Sequence, residues 1–390
     1  MKAVIAIDSF KGSISSIEAG NAVAEGIQRV FSDADTIIKP VADGGEGTVE
    51  ALVSGLNGRL CEAEVSDPLG RIITARYGIL PNDTAVIEMA AASGLTLLSE
   101  NERDPMLTTT YGTGELILSA IRNGCRDFII GIGGSATNDG GIGCLQALGF
   151  GMLDAKGRQI ESGAKGLSHL AEITDTNVIP ELKECSFKVA CDVTNPLCGE
   201  NGCSAVFAPQ KGAKAEMIPI MDGYFHNYAE LTRKYNAAAS PETSGAGAAG
   251  GLGFALMYYL NAGFESGIEL IMRETKLEDA VKDADVVITG EGCLDSQTAM
   301  GKAPVGIAKI AKKYGKPVIA FSGAVKSGAE LCNRNGIDAY FPILRQVSAL
   351  EEAMDKSNAY RNLADTAEQV FRTIKLFKKG DQYADITKLR

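Results

Sequence analysis

The sequence predicts an α/β protein of two domains. A parallel-sheet domain is built from both chain ends, and a mixed α/β domain is inserted between them. Three observations predict it. The chain has 390 residues, more than one hydrophobic core usually supports. Short apolar runs alternate with helical spacing at both ends, the pattern of buried parallel strands and their crossover helices. Between the ends lie short strands separated by turn signals, the pattern of antiparallel hairpins.

The first 57 residues read as two βα units: strand Lys2–Ile7, helix Ile17–Phe31, strand Thr36–Ala42 and helix Gly47–Leu56. Leu60–Val65, Ile72–Ile79 and Thr84–Met89 follow as hairpin strands, punctuated by SDPLG and LPND. Strands Phe128–Ile130 and Phe187–Ala190 stand among glycine loops. Late in the chain the βα pattern returns with Ala284–Thr289, a helix over 301–314, Lys316–Ser322, Asp338–Pro342 and one closing helix over 349–377. These spans place residues 1–57 and 280–379 in a flavodoxin/Rossmann-like parallel α/β domain and 58–279 in the inserted domain. Residues 380–390 read as a polar tail. No internal repeat period emerges.

Composition narrows the function. The formal net charge of −11 argues against a nucleic-acid or membrane-surface partner, because both need a positive footprint. Residues 244–264 carry no charge over a bilayer's length, yet six of them are glycine, so a glycine turn leading into a buried helix at Leu252–Leu260 is expected instead of a membrane span. The nine cysteines form no CxxC pair and the first residues carry no leader pattern, so a cytoplasmic location with free thiols is expected. Only two histidines are present, neither beside a nucleophile-like motif, which leaves proton transfer to carboxylates or lysines.

Several loops after predicted strands carry the chemistry. Ligands of open α/β sheets bind beyond the carboxyl ends of strands, where helix N-termini offer N–H groups to anions. Asp8–Ser13 (DSFKGS) combines an acid, a lysine and hydroxyls; an ordinary helix cap at Ser13 or Ser15 is the alternative reading. Ala42–Thr48 (ADGGEGT) sets Asp43 and Glu46 around glycines, a pattern suited to Mg²⁺ or simply to the acidic first turn of a helix. Gly131–Gly141 (GIGGSATNDGG) imitates the dinucleotide fingerprint at Gly131, Gly133 and Ala136. A nicotinamide-dependent dehydrogenase is therefore the rival class, although Asn138–Gly141 extends the loop where that fingerprint demands a helix. Thr289–Lys302 (TGEGCLDSQTAMGK) supplies Glu291, Asp295, Gln297, Thr298 and Lys302 without forming a Walker A loop. Asp192 stands in CDVTNPLCG, just past a strand, and APQKG contributes Gln210 and Lys211.

In this order, with GAGAAGGLG and the following AP of the last loop, these motifs resemble the bacterial type-1 glycerate kinase family over nearly the whole chain. The resemblance implies ATP and Mg²⁺, glycerate as acceptor, and a two-domain α/β fold with the active site in the cleft between domains. It also implies 2-phosphoglycerate as product, with phosphorylation of the 3-hydroxyl still open; a non-catalytic small-molecule binder is the third class. Phosphoryl transfer is mainly positioning and charge stabilisation, so Lys11 and Lys302 are the candidates to offset charge on the migrating group. Asp43 and Asp295 are the metal-associated carboxylates, and Asp192 is the candidate base for the acceptor hydroxyl. Lys211 or Arg71 would hold the glycerate carboxylate. Gly133, Gly134, Ser135, Asn138 and Asp139, in one loop, would offer backbone N–H groups to phosphate or carboxylate. Asp8, Ser9, Ser13, Gly44, Gly45, Glu291, Gln297 and Thr298 complete the expected binding loops.

Overall fold

The computed structural model describes residues 1–379 and divides into two compact units, one of Met1–Asp43 with the chain from Ile271 onward, the other Gly44–Leu270. The expected tail over 380–390 lies outside the described residues.

The first unit is built on five strands, ordered Asp35–Ile38, Lys2–Ile7, Val286–Leu294, Val318–Val325 and Ala339–Pro342, with every neighbouring pair parallel. Numbered along the chain this order is 2-1-3-4-5, the flavodoxin-like arrangement. Helices cover both faces, which is why KAVIAI can be apolar throughout. On one face Ala3, Ile5, Ile7 and Phe321 pack against helices Ser16–Gln28 and Lys356–Lys379. Those helices approach closely because a Cβ at Gly26 would lie 2.3 Å from the Ala364 carbonyl oxygen. Helix Ala303–Lys313 packs on strand Val286–Leu294 through its apolar stripe of Val305, Ile307, Ala308 and Ala311.

The expected single closing helix is two helices, Leu350–Met354 and Lys356–Lys379, separated at Asp355. Asp355 leaves the helical region (ψ 130°), and its Oδ1 accepts from the Asn358 N–H at 3.0 Å and the Ser357 hydroxyl at 2.5 Å. That is an N-cap. Helical periodicity runs across it because the flanking residues are good helix formers.

The second unit carries a mixed six-stranded sheet ordered Arg59–Ser66, Ile72–Ile79, Thr84–Glu88, Asp127–Gly131, Ser186–Ala190 and Gly263–Glu265. The first three strands pair antiparallel, as their turn signals predict, and the rest pair parallel. Its core gathers Tyr77, Ile87, Leu116, Phe128, Leu145 and Phe254. Helix Thr48–Gly55 belongs here and not with residues 1–43: its Val49, Leu52 and Val53 are buried against the strands Ile72–Ile79 and Thr84–Glu88. Residues 244–264 form the expected turn and helix. Ala249, Gly250 and Gly251 have φ of 53°, 66° and 87°, and helix Leu252–Tyr259 follows. No helix among the described residues is long and apolar enough to cross a membrane.

Candidate active site

In an open sheet of order 2-1-3-4-5 the strand order reverses between the first and third strands, and ligands bind beyond the strands' carboxyl ends at that point. In the first unit this is the end of Lys2–Ile7 beside Val286–Leu294, and a cavity of about 410 Å³ lies there. Its lining includes the charged groups Asp8, Lys11, Asp43, Glu291, Asp295 and Lys302; Lys326 joins them from just past the strand Val318–Val325. Phe10, Leu344, Leu350 and Met354 give it apolar surface as well.

Each charged group is placed by local structure. The chain leaves the first strand and turns back through an isolated bridge between Phe10 and Ile14. Helix Ser16–Gln28 then starts on a capping box in which the Ser15 hydroxyl accepts from the Glu18 N–H and the Glu18 carboxylate accepts from the Ser15 N–H. The cap is therefore Ser15, and Ser13 is released from that duty. The Ser13 hydroxyl lines the cavity and is buried without a hydrogen-bond partner, a state that usually calls for a ligand or water. Ser9 stands beside it, its N–H donating to Asp8 Oδ1 at 2.7 Å. Lys11 Nζ meets Asp43 Oδ2 at 3.0 Å. Asp295 caps the short helix Ser296–Ala299, one oxygen accepting from the Gln297 and Thr298 N–H groups. The Thr298 hydroxyl, buried, donates to Glu291.

Burial, followed by the neighbouring Asp43 charge, pushes the Asp8 carboxyl up to about 7. Burial also raises Glu291, opposed by the Thr298 hydroxyl and Lys302. For Asp295 burial is outweighed by its backbone hydrogen bonds and by Lys302 and Lys326, so its carboxyl lies below the ordinary range. Burial works against the Lys11 charge, but Asp43, Asp8 and Glu291 overcome it and raise the ammonium's pKa. The cavity's carboxylates are hard oxygen donors, the kind that fits a divalent cation such as Mg²⁺. Asp43 stands close enough to Asp8 for its charge to raise that carboxyl, so these two are placed to share an ion.

The second unit collects its loops at the carboxyl ends of its own parallel strands. Gly44 (φ 84°) lies so close to the end of Ser186–Ala190 that a Cβ there would fall 2.8 Å from the Ala190 Cβ. A Cβ at Gly133 would reach within 3.0 Å of the Gly45 Cα. Gly133 and Gly134 are exposed at the tip of the Gly131–Gly141 loop, and helix Ile142–Ala147 begins only after Gly141, so the dinucleotide context fails. Asp192 is exposed just past Ala190.

The charged residues expected on a ligand in this unit lie beneath the loop. Asp139 is fully buried and accepts from the Thr110 N–H at 2.8 Å, the Thr110 hydroxyl at 2.9 Å and the Gly141 N–H at 3.0 Å. Asn138 is equally buried and donates to the Ser204 hydroxyl at 3.0 Å. Lys211 is 1% exposed, its Nζ donating to Ser135 Oγ at 2.8 Å and to the Thr137 carbonyl at 2.6 Å. These three side chains are spent on shaping the loop. Arg71 is half-exposed, but its guanidinium already donates to Asp67 at 2.5 Å and Glu102 at 2.6 Å. That leaves no bidentate face committed to glycerate.

Three features lie outside the motifs that the sequence displays. Lys326 follows a strand end in the same way as Lys11, and that rule would have found it. Glu88 ends the strand Thr84–Glu88 and accepts from the Val49 N–H at 2.7 Å, holding the N-terminus of helix Thr48–Gly55. The apolar surface of Leu344, Leu350 and Met354 has no motif at all.

Comparison with known proteins agrees with this geometry. The model of the "Glycerate kinase family" matches residues 3–375. The chain is 47% identical to "Glycerate 2-kinase" of Escherichia coli K12, over 96% of this chain and 98% of the relative. It is 47% identical to "Glycerate kinase" of Bacillus subtilis 168, over 97% and 99% respectively. A crystal structure from Salmonella typhimurium LT2, of a protein described as a glycerate kinase 2, superposes with a TM-score of 0.88 at 46% identity, covering 97% of this chain and 99% of that one.

Proposed function

The chain belongs to the glycerate kinase family, phosphotransferases with an alcohol acceptor, and we propose that it moves the γ-phosphoryl group of ATP to the 2-hydroxyl of D-glycerate. The observation that carries this reading is a cavity at the switch point of a flavodoxin-like sheet, lined by both charged and apolar groups.

The apolar surface of Leu344, Leu350 and Met354 suits an adenine ring, and the lysines suit polyphosphate. Lys11, Lys302 and Lys326 offset charge on the phosphates, the main demand of a loose phosphoryl-transfer transition state. The unpartnered Ser13 hydroxyl donates to a phosphate oxygen. Mg²⁺ held by Asp43 with Asp8 supplies further charge neutralisation at the phosphate oxygens. The backbone exposed at Gly133 and Gly134 offers N–H groups to the substrate anion, with Asn138, Asp139 and Lys211 keeping the loop in shape. Asp192 takes the proton of the attacking hydroxyl, as a carboxylate must in a chain whose two histidines stand outside these loops.

Release of ADP on mixing protein, ATP, Mg²⁺ and D-glycerate tests the reading, and proton-coupled phosphorus NMR of the product identifies the hydroxyl. A doublet from the single proton on C2 is expected. A triplet from the two protons on C3 overturns the position; ADP release that ignores glycerate, or oxidation of NADH with hydroxypyruvate, overturns the reaction.

A further inference from the structure

At the far end of the CDVTNPLCG loop, the second unit brings together a side-chain set that phosphoryl transfer does not need. The turn Thr194–Gly199 carries Cys198, which is buried. Opposite it runs helix Met217–Tyr235, whose Asp222 and His226 are one turn apart and therefore share a face. Cys198 Sγ, an Asp222 oxygen and a His226 ring nitrogen all lie within 4.8 Å of one another. Among the described residues no other set of His, Cys, Asp and Glu side chains converges in this way.

The arrangement is already half organised. Asp222 Oδ1 accepts from the Gly199 N–H at 2.8 Å, which fixes the carboxylate against the turn. Its Oδ2 faces His226 Nε2 at 3.5 Å, longer than a good hydrogen bond. The imidazole is 61% exposed, free to swing by the ångström or so that a common ion would ask of it. Cys198 is held the other way, by Leu197, whose N–H donates to the Pro241 carbonyl at 2.8 Å and whose carbonyl accepts from the Cys203 N–H at 3.1 Å.

We propose that Cys198, Asp222 and His226 form a site for a zinc-class divalent cation, with solvent as the fourth ligand. The donor set decides the class: one sulfur, one imidazole nitrogen and one carboxylate oxygen suit tetrahedral Zn²⁺ and its relatives, whereas Mg²⁺ seeks oxygen alone. The ion bound here is thus distinct from the magnesium of the nucleotide. Its effect follows from connectivity. It ties the CDVTNPLCG turn, which carries Asp192, to the long helix, so it acts on the stiffness of that turn.

Cobalt(II) titration of the chelator-treated full chain tests the site without recourse to kinase activity. Wild type should develop a thiolate-to-cobalt charge-transfer band together with the visible bands of a tetrahedral ion, saturating at one equivalent. Cys198→Ser should lose the charge-transfer band. His226→Ala, whose exposed ring contributes little to the fold, should weaken binding by more than the roughly 10–100-fold that loss of an outer partner costs. Added Zn²⁺ should raise the melting temperature of wild type but not of His226→Ala. An octahedral cobalt spectrum in wild type, or a charge-transfer band that survives in both variants, overturns the proposal.

Discussion

On the proposed function the two units face the same difficulty, presenting favourable groups to an anion from a chain of net charge −11, and they use different material. In the first unit charged side chains line the cavity themselves: Lys11, Lys302 and Lys326 face it across Asp8, Asp43 and Glu291. In the second unit exposed glycine backbone forms the loop tip, and the charged groups Asp139 and Lys211 are buried beneath it. Where charge meets the ligand, substitutions should show in rate. Where charge supports a loop, they should show first in stability. Asp192 is the exception that sharpens the contrast, an exposed carboxylate in the unit otherwise built on backbone.

That exception carries the largest expected effect. Asp192→Asn should lower kcat by roughly 10²–10⁴-fold, the span for a positioned acid or base, at nearly unchanged melting temperature. If the loss is instead restored by excess Mg²⁺ or Mn²⁺, Asp192 holds metal; normal turnover would remove it from the mechanism. Next comes Lys11→Met, where steady-state kinetics should record a fall in kcat of about 10²–10³-fold. Its stability should move by only about ±0.5 kcal/mol, as is usual for an exposed lysine. A well-folded variant with full activity would break the claim that the first unit works through its side chains.

In the second unit the order of effects reverses. Asp139→Asn replaces one acceptor oxygen by a donor, which then faces either the Gly141 N–H at Oδ1 or the Thr110 and Gly143 N–H groups at Oδ2. Denaturant unfolding should reveal a loss of about 1–3 kcal/mol for each buried donor left unmatched. Any kinetic defect should track the folded fraction, so a stable but inactive variant would place Asp139 on the ligand after all.

The last effect is a pH dependence. Burial, partly opposed by Cys203 and Asp139, lowers the Lys211 ammonium from 10.5 to about 8. Between those values the unfolded chain binds more protons than the folded one, so stability from this group rises as the pH climbs from about 8 toward 10.5. Unfolding curves at the two ends of that window should show a gain in wild type that Lys211→Met lacks. Equal pH slopes in both proteins would mean that Lys211 titrates normally.

Local chemistry is legible in the sequence wherever a short segment decides its own structure. The run KAVIAI announces a buried strand, SDPLG and LPND announce hairpins, and Asn138–Gly141 announces that no helix starts at Gly133. In the same way the loops DSFKGS, ADGGEGT and TGEGCLDSQTAMGK point to Asp8, Lys11, Asp43, Glu291 and Lys302 by themselves, because strand ends and glycine turns are local signals. Burial and partnership depend on segments far apart in the chain, and only the tertiary structure decided them. It buried the side chain of Asp139 and that of Lys211, expected to hold a carboxylate, beneath the Gly131–Gly141 loop, and it occupied Arg71 with Asp67 and Glu102. The same packing carried helix Thr48–Gly55 to the second unit's sheet and folded Leu344, Leu350 and Met354 into a cavity wall. A polar residue's type states what it can bond to; its three-dimensional neighbours settle whether a ligand is ever offered that bond.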